Sequence, residues 1–596
     1  MSTIYKERIA SLRDIMSRQN VAACIIPSSD AHMSEYTPDR WKTRQWLSGF
    51  TGSAGTIVVT LRKAGLWTDS RYFLQAGEQL KGSGIDLYKL AISGTPPIED
   101  FLTTELESGE TVAIDGNVFS AANAESLTEK LAGKGIKLNT AIDLPGIIWN
   151  DRPPIPSNAI FELPVKLCGF TVREKLSAIN SLLRNAGADG LLLCALDEIA
   201  WTFNIRGNDV DYNPVAIAYA YISEKESILF INPEKLTAET AAHLDREGVI
   251  TAVYDRTAAW LSALPSNSTL FIDRQKTNVG LFNAIPATCK IVEGHTPANR
   301  LKCRKNTVEI EGFRNALLKD GIALVRFYIW LEKQLSAGER LTEISIARKL
   351  SAFRSEQPLY ISDSFATICG YGAHGAIVHY SATPETDAEI KPEGILLMDS
   401  GAQYLDGTTD ITRTIALGTP TEKMKSDFTR VLQGHIRLAL ARFPEGTRGS
   451  QLDILARKAL WDAGINYLHG TGHGIGHCLN VHEGPQSIRM EENPFPIQAG
   501  MVMSNEPGLY RTGEYGIRTE NMILAKADVE TEFGKFLTFE TLTLCPIDTT
   551  LIDASMLSAD ELSWLNDYHR KVYSALAPHL DTTEQEWLKK KTSSSL

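Results

Sequence analysis

Long apolar runs are missing from this 596-residue sequence. None approaches the ~18 consecutive apolar residues that a membrane-spanning helix needs, so no membrane association is expected. The opening stretch MSTIYKERIASLRDIMSRQN follows a charged amphipathic helical pattern. It lacks the apolar centre and small-residue cleavage site of a secretory leader. An excess of positive charge is missing as well: 60 Lys and Arg stand against 72 Asp and Glu, a net charge of −12. That balance argues against a nucleic-acid partner. The most basic stretches, RLKCRKN (300–306) and KKK (589–591), are short and read as solvated surface. Paired cysteines are the third absence. The eight (24, 168, 194, 289, 303, 369, 478, 545) are scattered without a CxxC spacing, which excludes a thiolate-rich structural zinc site. Most lie in apolar segments such as GLLLCAL and TLTLCPI and read as small buried hydrophobes in a reducing compartment, so a cytoplasmic protein is expected.

What is present is a chain too long for one core, with about two to four domains expected. The segment DLPGIIWNDRPPIPSNAIFELP (143–164) places five prolines in 22 residues. Proline removes donors and fixes φ, so this is an extended connector. A second boundary lies near 293–313, where a polar stretch leads into a long helical pattern. The expected domains are 1–155, 156–303 and 304–596.

The first two segments repeat one plan. RIASLRDIMSRQNVAACIIPSSDAHMSEY followed by RQWLSGFTG, and REKLSAINSLLRNAGADGLLLCALDEIAWTFNIRG, each read as amphipathic helix, apolar strand, polar turn and an aromatic-rich segment ending in Gly. Further strands follow in GTIVVTLRKAGLWTD and VAIAYAYISEKESILFIN. Helices alternating with strands predict α/β domains, and the repeat points to duplication of a structural module. The third segment mixes runs of helices (308–335, 341–354) with strand pairs, an α+β pattern. Thr419-Pro420-Thr421-Glu422 predicts a capped helix start with Pro at the first helical position. Ser450 and Asp453 open a further helix that Gly464 closes.

Four acids end or interrupt apolar strands in this third segment: Asp399 in GILLMD, Asp410 in GTTDITRTIAL, Glu506 in GMVMSNE and Glu520 in YGIRTENMILA. Buried carboxylates cost several kcal/mol, of order, unless compensated. A hairpin through GAQYLDG brings Asp399 and Asp410 together if the register allows, and a cation then relieves their repulsion. The same segment holds HGTGHGIGHCLNVHEGP, in which His469, His473, His477 and His482 gather among glycines. A metal site, a proton relay and a merely His-rich loop all fit that cluster. Four carboxylates with one imidazole form a hard ligand set suited to Mn²⁺, Fe²⁺, Co²⁺ or Zn²⁺. Two such ions sharing carboxylates make a dimetal hydrolase the expected chemistry.

The motifs MDSGAQYLDGTTDITRT, HGTGHGIGHCLNVHEGP, SNEPGLY and GIRTEN resemble, in order, the signatures of the pita-bread metallopeptidases. WLSGFTGSAGTIVVT…LWTDSRYFLQA, LDEIAWTFNIRGNDVDYNPVAIAYAYI and the tail LTFETLTLCPIDTTLIDASMLSADELSWLNDYH are similar to the three-domain cytosolic Xaa-Pro aminopeptidases. The resemblance spans nearly the whole chain. It implies two related creatinase-like α/β domains followed by a pita-bread catalytic domain. It also implies two divalent ions per chain, Mn²⁺ first with Zn²⁺ or Co²⁺ as alternatives. Their ligands would be Asp399, Asp410, His473, Glu506 and Glu520. His379, from YGAHGAIVHYS, would stand near the scissile bond and stabilise the tetrahedral intermediate. His469 and His482 would line the substrate site, with His482 also catalytic, holding the peptide carbonyl or stabilising the developing charge. Glu506 would shuttle the proton to the prolyl nitrogen, and the substrate amine would bind near Asp399. Arg518, two residues before Glu520, would share its face, buttress it and contribute to the substrate site. His374 and His477 have no place in the pattern and read as bystanders. The implied substrates are peptides with proline in the second position, and a homodimer is expected, with the apolar residues around two tryptophans in 546–596 as its candidate surface. Prolidase, methionine aminopeptidase and a non-catalytic pita-bread binding module are the alternatives.

Overall fold

The computed structural model describes residues 2–593. Met1 and Ser594–Leu596, the extreme ends of the first and last expected domains, lie outside the described residues. The chain forms two compact units, Met1–Leu163 with Phe170–Asn299, and Pro164–Gly169 with Arg300–Leu596. Both repeated segments belong to the first unit, so the division expected near 155 falls inside it. The proline-rich stretch there carries no regular structure from Arg152 to Ile160, where Pro153, Pro154 and Pro156 fix φ and remove donors.

The first unit contains two six-stranded sheets built on one plan. Across the first run Asp86–Lys89, Ala64–Thr68, Thr56–Thr60, Ala23–Ile26, Thr111–Ala113 and Lys137–Asn139. Across the second run Val249–Ala252, Ser227–Ile231, Ala218–Ser223, Gly190–Leu193, Thr269–Ile272 and Lys290–Glu293. In chain order each sheet reads 4-3-2-1-5-6. The sense of pairing agrees at every step: antiparallel between the first three strands, parallel elsewhere. The central strands are buried on both faces, as expected where helices cover a largely parallel sheet.

The second unit is α+β. Its longest helix, Thr307–Ser336, starts at an Asn306 cap whose side chain accepts from Val308 and Glu309 amides, with Glu309 completing the capping box. Thr342 caps Glu343–Ser355 in the same way. Two helix starts differ from the expected ones. Thr421, not Thr419, is the cap of Glu422–Ala439, so Pro420 precedes the helix instead of occupying its first position. The next helix, Gly449–Trp461, begins one residue before Ser450, and its Gly449 runs so close to strand Glu483–Ile488 that a Cβ would stand 1.8 Å from the Ser487 carbonyl. A three-stranded antiparallel sheet (Ile368–Tyr371, Ile395–Ser400, Ile411–Ala416), a hairpin (Gly508–Arg511, Tyr515–Arg518) and a six-stranded sheet containing Gly472–Gly474, Glu483–Ile488, Val502–Asn505 and Asn521–Thr531 supply the frame of the candidate site.

Two surface expectations change. Lys302 and Lys305, from the stretch read as solvated, are buried, and both ammonium groups bond the buried Glu483 carboxylate. A two-to-one lysine–carboxylate cluster satisfies charges that sequence pattern alone assigns to water. The helix Ala559–Leu576, which precedes the last helix Thr582–Thr592, turns Leu565, Tyr568, Val572 and Leu576 into a core shared with Phe428, Val431, Leu432 and Ile436 of Glu422–Ala439. That part of the stripe expected for a dimer is packed within the chain, while Trp564 and Trp587 are half-buried.

All eight cysteines are free and seven are buried. Among the described residues no helix is long and apolar enough to cross a membrane.

Candidate metal centre

Asp399 is the last residue but one of the central strand Ile395–Ser400, where it pairs in register with Thr412 of the antiparallel strand Ile411–Ala416. Asp410 sits one residue before that second strand, so the two acids come from adjoining chains of one hairpin. Ile395–Ser400 is buried throughout and apolar up to Met398, and its partner is buried from Ile411 to Thr414. Glu506 follows strand Val502–Asn505, and its amide donates to the Thr471 carbonyl at 2.8 Å. Glu520 lies in the break between strands Tyr515–Arg518 and Asn521–Thr531. Its amide donates to the Thr412 carbonyl (3.1 Å), its Oε2 accepts from Thr412 Oγ1 (2.7 Å), and its carbonyl accepts from Arg413 Nη1 (2.7 Å).

His473 lies on the short strand Gly472–Gly474. Its Nδ1–H donates to the Gly474 carbonyl at 2.9 Å, which can only accept, and this aims Nε2 at Asp410 Oδ2 (3.4 Å) and Glu506 Oε1 (3.6 Å). Glycine at 472 and 474 is a steric requirement: a Cβ would stand 2.2 Å from the Ser504 carbonyl and 2.4 Å from the Glu483 carbonyl respectively.

The electrostatics call for added positive charge. Burial foremost, with Asp410 adding and Arg518 opposing, raises the Asp399 pKa. Burial and then the neighbouring Asp410, Asp399 and Glu506 charges push Glu520 well above the carboxylate range. Burial, countered by His473 and Arg518, brings Glu506 to about 7. Burial opposes a charge on His473, but Asp410 and Glu506 outweigh it and lift it to about 9. Ligand atoms of Asp410, His473 and Glu520 lie within 4.8 Å of one another, and Asp399 Oδ1 is buried with no hydrogen-bond partner. A hard oxygen-rich donor set with an orphaned carboxylate oxygen fits divalent cations.

The surroundings of the other histidines differ. The His482 ring stands 4.3 Å from that of His473, nearly perpendicular to it. His379 is half-buried in the segment after the turn Gly372–Ala376. His469 donates from Nδ1 to the Gly470 carbonyl and accepts at Nε2 from the Tyr510 hydroxyl, both at 2.8 Å. His477 is buried edge-on to Phe313. His374 bonds the Glu343 carboxylate at 2.9 Å.

Arg518 does not bond the Glu520 carboxylate. Its strand stops at Arg518, so the two-residue alternation that would put both on one face does not continue to 520. The guanidinium instead bonds Asp399 Oδ2 (2.6 Å), Tyr510 Oη (2.6 Å) and Thr412 Oγ1 (3.1 Å). It is 1% exposed.

Sequence reasoning overlooked three contributors. Tyr510 lies inside the quoted motif SNEPGLY, yet its link between Arg518 and His469 depends on a hairpin register that pairs it with Gly516. Arg457, ion-paired to Asp453, donates to the carbonyls of Tyr467 (2.5 Å) and His469 (2.8 Å) and so anchors the His469 loop. Glu483, beside His482, is held by the two buried lysines. None of these carries a pattern that separates it from an ordinary surface polar residue.

The sequence matches known families along nearly its whole length. Residues 8–153 and 151–309 each match the creatinase/prolidase N-terminal domain, 311–527 match metallopeptidase family M24, and 535–595 match the C-terminal region of that peptidase. A "Probable Xaa-Pro aminopeptidase P" of Laccaria bicolor is 43% identical over 98% of this chain and 93% of its own. "Aminopeptidase P2" of Arabidopsis thaliana is 41% identical over 98% of this chain and 88% of its own. The crystal structure of X-prolyl aminopeptidase from Caenorhabditis elegans, described as a cytosolic enzyme with a di-nuclear active site, superposes with a TM-score of 0.95 at 36% identity, covering 99% of both chains. With two creatinase-type N-terminal domains, a pita-bread unit and end-to-end relatives of this kind, the chain belongs to the aminopeptidase P branch of metallopeptidase family M24.

Proposed function

We propose that the protein is a metallo-exopeptidase that releases the N-terminal residue from peptides with proline in the second position. The observation that carries this reading is the buried convergence of Asp410, His473 and Glu520 within 4.8 Å, in a chain similar from end to end to the worm enzyme. Asp399, Asp410, His473, Glu506 and Glu520 would hold two divalent ions, Mn²⁺ first, with Zn²⁺ or Co²⁺ as alternatives. When bound, the ions supply Lewis acidity and lower the pKa of a coordinated water.

The chain's own groups do the rest. Asp399, fixed by Arg518, offers a carboxylate beside which a substrate α-amine docks. Glu506 takes a proton from the attacking water and passes it toward the prolyl nitrogen, the one leaving atom that has no N–H of its own. His379 donates to the oxygen of the developing tetrahedral carbon, and His482 and His469 line the path of the peptide. Arg518 positions Asp399 and, through Tyr510, His469, and by holding both it contributes to the substrate site.

Two further expectations belong to this reading. A cytoplasmic setting suits eight free cysteines, seven of them buried, and the worm relative is described as cytosolic. A homodimer would use a surface other than the face of Ala559–Leu576 already packed on Glu422–Ala439. Sedimentation giving a single 65.6 kDa species over a wide concentration range would exclude it.

The deciding assay offers the Mn²⁺-loaded protein Arg-Pro-Pro, N-acetyl-Arg-Pro-Pro, Arg-Ala-Pro, Arg-Pro and Met-Ala-Ser. Efficient release of arginine from the first is expected, with Arg-Pro slower and the others nearly inert. Preference for Arg-Pro would identify a prolidase, and preference for Met-Ala-Ser a methionine aminopeptidase. Bound metal without cleavage would identify a binding module.

A further inference from the structure

Glu343 is a carboxylate with no exposure, at the first turn of helix Glu343–Ser355. Its two oxygens collect four donors. Oε1 accepts from the Tyr371 amide at 2.8 Å and from His374 Nδ1 at 2.9 Å. Oε2 accepts from the Tyr380 hydroxyl at 2.8 Å and the Ala388 amide at 3.1 Å. The Glu343 amide returns a bond to the Ala388 carbonyl at 3.1 Å. A buried carboxylate is tolerated when its lone pairs are filled in this way.

All four donors belong to one stretch of chain, 371–388, which crosses from strand Ile368–Tyr371 to the short strand Glu389–Ile390. Apart from the turn Gly372–Ala376 it has no regular structure to hold it. Connections of this length without structure of their own are uncommon in compact domains unless they serve a function. The stretch contains His379, and the donors bracket it: Tyr371 and His374 before, Tyr380 immediately after, Ala388 beyond.

The opposite side of the stretch is pinned as well. Gly375 lies against Gly516 so closely that a Cβ on Gly516 would stand 1.7 Å from the Gly375 carbonyl oxygen. Gly516 is on the strand that carries Arg518, and Arg518 Nη2 reaches the Val378 carbonyl at 3.5 Å. Tyr380 is buried with Ile368 and Leu397, and its ring stacks on His374 at 4.5 Å. The segment is therefore held between one carboxylate and the strand that bonds Asp399.

We propose that Glu343 is a positioning residue for His379. With Tyr380 and His374 as its arms, it clamps segment 371–388 so that the imidazole is presented to the reacting bond. His374 on this account is part of the support of the site and not a bystander. The inference rests on the reading of His379 given under the proposed function.

Replacing Glu343 itself leaves several buried donors unsatisfied, so Tyr380→Phe and His374→Gln, which keep the carboxylate, carry the test. Each is combined with His379→Ala, and kcat and KM are measured on Arg-Pro-Pro. Tyr380→Phe is expected to lower kcat about 10-fold or more while KM moves less than about 3-fold, the signature of a displaced group and not of lost binding. In the His379→Ala background the same change should cost less than about 2-fold, because its effect runs through that imidazole. Amide hydrogen exchange is read in parallel: residues 372–379 should exchange faster in Tyr380→Phe, with the six-stranded sheet unchanged. An undiminished loss in the His379→Ala background, an unaltered kcat, or unchanged exchange of 372–379 would each overturn the clamp. Should the native chain leave Arg-Pro-Pro intact, the functional reading fails, while the exchange measurement still decides whether the clamp exists.

Discussion

Arg518 donates to Asp399 Oδ2 at 2.6 Å while its other terminal nitrogen donates to the Tyr510 hydroxyl at 2.6 Å. One planar guanidinium thus orients a proposed metal ligand and, through Tyr510, the His469 ring. Lysine offers a single point charge and cannot hold both angles. Arg518→Lys is expected to lower metal affinity or turnover about 10- to 100-fold, the usual cost of losing a group that orients a ligand. Calorimetric titration with Mn²⁺ and steady-state kinetics check it; values within 2-fold of the native protein would show that the fork geometry is dispensable.

Asp410→Ala removes the carboxylate nearest His473 Nε2. Metal content of the purified protein should drop sharply and activity by about 10²-fold or more. His477→Ala is the contrast. It opens a cavity against Phe313 and should lower the melting temperature, yet leave metal stoichiometry and turnover near native. Elemental analysis of both variants decides: full metal in the Asp410 variant would remove that residue from the ligand set.

Glu483 is buried between Lys302 and Lys305. Glu483→Gln strips the counter-charge from two buried ammonium groups, and breaking such a cluster costs about 3–5 kcal/mol. Denaturant unfolding should show that loss. Reduced kcat is expected with it, since the adjacent His482 loses its anchor. A stability change under about 1 kcal/mol would mean that water already reaches these lysines.

Two histidines far apart in sequence are kept neutral. Burial first, then the charge of Arg413, brings His435 to about 3 and His569 to about 4. His569 Nε2 accepts from the Ile547 amide at 3.1 Å, a bond that the imidazolium cannot make. Unfolded histidine titrates near 6.5. Above that pH both states are neutral and no difference arises. As pH falls below it the unfolded chain binds protons that the folded chain refuses, so stability declines until the folded values are reached. Each residue contributes a slope of up to about 1.4 kcal/mol per pH unit. The difference between urea midpoints at pH 7.5 and pH 5 should shrink in His569→Gln; an identical difference would assign the acid sensitivity elsewhere.

How far the sequence speaks depends on whether a residue's neighbours are local. The duplicated sheets are legible because each strand's apolar run and each turn repeat in order. The four acids stand out because a charge at the end of an apolar strand needs compensation wherever the strand goes. Arg518 misleads, since its partner is decided by where a strand breaks, and a two-residue alternation cannot announce its own end. Lys302 and Lys305 mislead more: two lysines that share one carboxylate across 178 residues or more look like ordinary surface until the chain folds. Thr421 displaced Thr419 as a helix cap for the simpler reason that Ser, Thr and Pro clusters offer several equivalent starts.

The proposed ligands are drawn from a hairpin, a short strand carrying His473, the end of a third strand and the gap before a fourth, spread from residue 399 to residue 520. No fragment of the catalytic unit short of that whole span contains the set. An ion that needs all of them acts as a coincidence detector for completed folding: it has nothing to grip in a half-built chain. Affinity for the native state alone converts free metal concentration into stability, at about 2.7 kcal/mol when the ion is present at a hundred times its dissociation constant. Chelation then reaches beyond chemistry at the site, and a cell's supply of the ion becomes a term in how much of this enzyme survives.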